Sequence, residues 1–124
     1  MTLEELVEEA LIAVGGRPWT KPFEHTYLLL ISALKCDSFN TKIRNRELYS
    51  LSQENWKSVE KGIRDFKAQC VKHNQQGWQQ RFGDTMPDNR QFLWTMYDIL
   101  KKQIESDQIS EHMKLRPLRW KRKT

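Results

Sequence analysis

Trp56, Val59, Ile63, Phe66 and Cys70 stand at successive spacings of three, four, three and four. Only an α-helix gathers such a series onto one side of the backbone, as a seam for packing against another helix. The spacing predicts a helix from Ser52 to about His73, with Ser50 or Ser52 as its N-cap. Once that seam is buried, the remaining arc must meet water or a partner.

The same period recurs along the chain. Leu3, Leu6, Val7, Ala10, Leu11 and Val14 form one stripe, so Thr2 to Val14 reads as a helix. Thr2 and Glu5 suit a capping box at its start, and Gly15 and Gly16 stop it. A second helix runs from about Pro22 to Cys36, and its LLLISAL segment is apolar nearly all round, which predicts a central position. Asp37, Ser38 and Asn40 break that pattern, and NTKIRNRELYS reads either as a short helix or as an ordered loop. NQQGWQQRFGD, with two glycines, reads as a polar loop. Pro87 then opens a helix to about Ser106, capped by Asp84 or Thr85, with Leu93, Met96, Tyr97, Leu100 and Ile104 on its buried face. A short helix near Ser110 to Leu115 follows, ended by Pro117. No segment alternates as a strand would, and no internal repeat is present. The expected fold is all-α: a compact bundle of four to five helices over residues 1–115, then a basic C-terminal tail at 116–124.

A chain of 124 residues is most simply one domain, long enough to bury a core without a disulfide or metal staple. The acidic residues Glu4, Glu5, Glu8 and Glu9 stand where a signal peptide would be basic, and no apolar run is long enough to span a bilayer. Cys36 and Cys70 lack a CxxC spacing and are expected reduced and buried, which points to the cytoplasm. His25, His73 and His112 are scattered, with no metal-ligand spacing and no nucleophile motif nearby. The expectation is a protein that is not an enzyme and takes no cofactor, no metal and no small-molecule substrate.

Charge is unevenly distributed. Residues 1–34 hold five acids and two bases, a net of −3, whereas residues 35–124 hold eleven acids and nineteen bases, a net of +8. Within the seam-bearing helix, Lys57, Lys61, Arg64 and Lys72 fall within about 80° of arc, nearly opposite the seam, at 100° per residue. Glu60–Arg64 and Lys61–Asp65 are i, i+4 pairs that stabilise a helix, but Lys57 and Lys61 form a like-charge pair that does the reverse. Such an arc suits contact with phosphates. Lys42, Arg44 and Arg46 form a second basic group, and Lys114, Arg116, Arg119, Lys121, Arg122 and Lys123 a third, with Trp120 inside it to stack on a base or fold back onto the bundle. Trp56 is core by phase and Trp94 lies on a packed helix, while Trp19 and Trp78 fall in loops.

In its size, helical class and charge layout, and in the Gln- and Trp-rich run NQQGWQQRFGDTMPDNRQFLW, the chain resembles the small subunit of type I CRISPR effector (Cascade) complexes, in particular the type I-D branch. That resemblance implies a non-catalytic role in antiviral defence. Such subunits stack along the complex, brace the guide–target duplex and offer a basic surface to a DNA strand. It implies strand contact first by Lys57, Lys61, Arg64 and Lys72, then by Lys42, Arg44 and Arg46, and then by the tail, with the acidic first helix facing a protein neighbour or another copy. Two other readings stay open. One is a small helical DNA-binding regulator of phage or bacterial type, for which Ser52, Gln53 and Asn55 would read a groove. The other is an adaptor that docks a partner helix on the seam from Trp56 to Cys70.

Overall fold

The computed structural model describes residues 2–36 and 42–115, the side chains of 107–115 excepted. Six helices run through the described residues: α1 (Leu3–Ala13), α2 (Lys21–Leu34), α3 (Asn45–Tyr49), α4 (Trp56–His73), α5 (Gln75–Phe82) and α6 (Asn89–Leu115). The all-α class is as expected, with more helices than the four to five anticipated. The Asp37–Asn40 break and residues 116–124 lie outside the described residues.

α1 begins as its sequence dictates. The Glu5 amide donates to the Thr2 hydroxyl at 3.1 Å and the Thr2 amide donates to the Glu5 carboxylate at 2.9 Å. The Thr2 backbone amide, and then its hydroxyl, hold the Glu5 carboxyl below its ordinary pKa. Leu6, Val7, Leu11 and Val14 are buried. Gly15 then takes φ +109°, and a β-carbon there would lie 2.6 Å from the carbonyl oxygen of Cys70, so only glycine lets the chain pass the end of α4 this closely. His73 Nδ1 meets the Gly15 carbonyl oxygen at 2.9 Å, which makes Nδ1 the protonated ring nitrogen.

α2 packs against α1, α4 and α6, the central position its all-round apolarity predicts. Thr20 caps it and Pro22 sits in the first turn. Phe66 of α4 occupies the middle of the core, its ring centroid 6.0 Å from that of Phe23 and 5.8 Å from that of Phe92.

Several features differ from expectation. α4 starts at Trp56, because Asn55 caps it: its side-chain oxygen accepts from the Lys57 and Ser58 amides at 3.0 and 3.2 Å. Ser50 instead donates to the Arg46 carbonyl at the end of α3, and Ser52 is turned inward, its hydroxyl without a partner among the described residues. The second difference is α5, where a loop was expected. Asn74 closes α4 and caps α5, accepting from the Gly77 amide at 3.0 Å. Trp78 and Phe82, one helical turn apart, then stack with centroids 4.3 Å apart, and Trp78 also stacks on Phe92 at 5.8 Å. Finally, Asp88 rather than Asp84 or Thr85 caps α6, in a reciprocal box with Gln91: Gln91 N to Asp88 Oδ1 2.8 Å, Asp88 N to Gln91 Oε1 3.3 Å. Asp84 accepts from the Gln79 amide group at 3.2 Å. No glycine or proline interrupts residues 106–110, so the short helix expected after Ser110 is the continuation of α6.

Phe92, Leu93, Met96 and Leu100 of α6 are buried, and Tyr97 and Ile104 are partly so. Cys36 and Cys70 are both free thiols; Cys70 is buried, whereas Cys36 is only half-buried. No helix among the described residues is long and apolar enough to cross a membrane.

Candidate nucleic-acid interface

α4 separates its two faces as its periodicity requires. Val59, Ile63, Phe66 and Cys70 have no exposed surface, so this part of the seam is filled by the chain's own helices and is closed to a partner helix in the folded molecule. Trp56, expected in the core, is half-buried at its edge. Lys57, Lys61, Arg64 and Lys72 are all exposed on the other side.

Their partners differ. Lys61 donates to Asp65 at 3.0 Å, an exposed i, i+4 pair. The expected Glu60–Arg64 pair does not form, and among the described residues Lys57, Arg64 and Lys72 meet no carboxylate within ion-pair distance. Lys57 instead sits over the Trp56 ring, its ammonium 5.7 Å from the centroid. The Arg46 guanidinium lies 5.4 Å from the same ring. A half-buried indole thus draws a cation of α3 and one of α4 together, and joins the second basic group to the first. Lys42, Arg44 and Arg46 are exposed. From Lys57 to Lys72 the helix rises roughly 22 Å, about the axial length of six phosphates on one strand.

The fifth base of the segment, Lys67, points the other way. It is buried, and its ammonium donates to the Pro87 carbonyl at 2.8 Å, tying α4 to the start of α6. Burial lowers its pKa, with Asp88 opposing that shift and Arg64 adding to it. Lys67 is therefore a structural lysine.

Asn55, a candidate for groove reading, is engaged in capping, and Ser52 is half-buried. Burial pushes the Cys70 thiol up to about 12, which leaves it a neutral core group and not a nucleophile. Among the described residues no three His, Cys, Asp or Glu side chains gather where they could hold a metal ion. The side chains of Lys114 and His112, and all of Arg116, Arg119, Trp120, Lys121, Arg122 and Lys123, lie outside the described residues.

One residue near this face was not legible in the sequence. Trp19, in the connector from α1 to α2, is 99% exposed and holds φ +68°. The local signals were only Pro18 before it and the cap Thr20 after it.

Scans of known protein families, of curated proteins and of solved structures find no match to this chain.

Proposed function

We propose that the chain is a non-catalytic nucleic-acid-binding subunit that grips phosphates, without reading base sequence, through the outer face of α4. The observation that carries this reading is the set of exposed, carboxylate-free cations Lys57, Arg64 and Lys72, spread along one helix face and joined at Trp56 to Arg46. Helix stability does not call for this arrangement, since like charges along one arc repel. Contacts spread along a helix flank fit a phosphate backbone, whereas groove reading concentrates side chains at a helix start.

In this reading the protein works in the cytoplasm within a larger ribonucleoprotein assembly of the CRISPR-effector kind, braced against a strand or a guide–target duplex. The acidic outer side of α1, with Glu4, Glu8 and Glu9 exposed, serves a protein neighbour.

Fluorescence anisotropy with labelled single- and double-stranded DNA of scrambled sequence, at several salt concentrations, tests the proposal. The variant changes Lys57, Lys61, Arg64 and Lys72 to glutamine, with circular dichroism to verify folding. The expected result is affinity that falls steeply with salt and is largely lost in the variant. Absence of binding at low salt, or unchanged binding by the folded variant, sinks it.

A further inference from the structure

A tryptophan held in water on a left-handed backbone is unfavourable twice over: its indole buries nothing, and its β-carbon crowds the chain. Trp19 is both, and the fold holds the turn in place. Gln69 of α4 accepts from the Arg17 amide at 2.9 Å and donates to the Thr20 hydroxyl at 3.2 Å. The Thr20 hydroxyl in turn donates to the Arg17 carbonyl at 2.7 Å. The residues on either side of Trp19 are thereby pinned to one side chain of α4.

That side chain borders the basic arc, lying about 80° around the helix from Lys61 and about 60° from Lys72. Lys21, two residues beyond Trp19, lines a shallow cleft of about 170 Å³ together with Lys61, Pro22, His25, Ser58 and Asp65. Arg17 is exposed on the near side of the turn. Lys21 is paired with Glu24 at 3.5 Å and Lys61 with Asp65 at 3.0 Å, so at this turn Arg17 is the cation that meets no carboxylate within ion-pair distance among the described residues. The other large apolar side chains exposed among the described residues, Ile12 and Met86, lie on different elements. The core of a protein interface is an apolar patch depleted of charged residues other than arginine. An exposed aromatic on the border of a basic helix face is the composition of a single-strand binding surface.

We infer that Trp19 is a stacking platform for an unpaired base of a strand whose phosphates follow the front of α4, so that the protein favours single-stranded over duplex nucleic acid. This rests on the phosphate-binding reading above and adds the ligand class to it. In a duplex each base is already stacked between neighbours and has no free face for the indole.

The test measures binding of three labelled probes: a 20-nucleotide single strand, the same strand lacking its bases, and the corresponding duplex. Trp19→Ala is expected to weaken binding to the base-bearing strand by roughly five- to a hundred-fold. It should leave the abasic strand, the duplex and the salt slope unchanged, because no phosphate contact is lost. Trp19→Gly should lose the same binding while raising the melting temperature, since glycine accepts the backbone conformation. If the native protein binds abasic and base-bearing strands equally, the stacking inference falls and the phosphate reading survives. If Trp19→Ala weakens all three probes alike, the ring has no specific partner and the inference also falls. Failure of the native protein to bind any probe removes both readings.

Discussion

Gly62 brings α4 into contact with the imidazole of His25 on α2: a β-carbon at position 62 would lie 2.7 Å from His25 Cδ2 and 2.8 Å from its Cβ. The crossing of these two helices, the most extensive helix–helix contact among the described residues, depends on a missing methyl group. Two effects oppose each other in Gly62→Ala. Alanine improves helix propensity by about 1 kcal/mol, but the clash reaches the root of the His25 side chain, which cannot swing away. Overpacking of this kind costs about 1–3 kcal/mol. The variant is expected to unfold at lower denaturant concentration; a higher midpoint would show that α2 moves aside freely.

Trp78 sits against Phe82 and Phe92 and is nearly fully buried, although its segment is polar and rich in glutamine. Trp78→Ala should cost about 3–5 kcal/mol, as for other large aromatic deletions in cores. The loss is read by urea denaturation. A cost below about 1 kcal/mol would mean that α5 is peripheral to the fold.

Asp65 neutralises one cation of the proposed interface through Lys61. Asp65→Asn frees that ammonium and removes a negative charge from the front of α4. Affinity for a scrambled single strand should rise roughly two- to ten-fold at low salt and the gain should vanish at high salt. Stability should change little, because exposed ion pairs contribute at most about 1 kcal/mol. Equal affinities at low salt would place the strand elsewhere.

Cys70 makes stability depend on alkaline pH. Its thiol ionises near 9.0 when free but only at about 12 in the fold. Between those values the unfolded chain releases a proton that the native state keeps, so stability is complete below 9 and falls as pH rises toward 12. Lys67 acts oppositely: its folded pKa lies below 10.5, so stability increases as pH rises through that interval. Comparing the native protein with Cys70→Ala isolates the thiol, because only the pH slope is read and the constant cavity cost drops out. The variant should lose less stability between pH 9 and 10.5; parallel slopes would show that Cys70 ionises freely in the fold.

α1 and α4 were legible from their long apolar stripes and α2 from its all-round apolar run, and the basic arc was legible because phase on a helix follows from counting. α5 was hidden because its evidence is two aromatics four residues apart among glutamines and a glycine, where composition argues for a loop. The N-cap of α4 was misassigned among three good capping residues in a row of six: Ser50 is taken by the end of α3 and Ser52 is turned inward, which leaves Asn55. Trp19 falls in a loop, as expected, but its left-handed backbone could not be foreseen. Its conformation is imposed by Gln69, some fifty residues further along the chain, and no local rule puts a tryptophan at positive φ.

A hydroxyl has one proton and two lone pairs, and at Thr20 all three are in use. The proton goes to the Arg17 carbonyl; the lone pairs take the Gln69 amide group and, at 3.4 Å, the Phe23 amide. A carboxylate at position 69 would have nothing to donate, and the single hydroxyl proton is already committed to Arg17. The connector, the start of α2 and the flank of α4 therefore meet at one saturated oxygen. For the proposed strand, the consequence is that the backbone at Trp19 gives up its freedom during folding and not on contact.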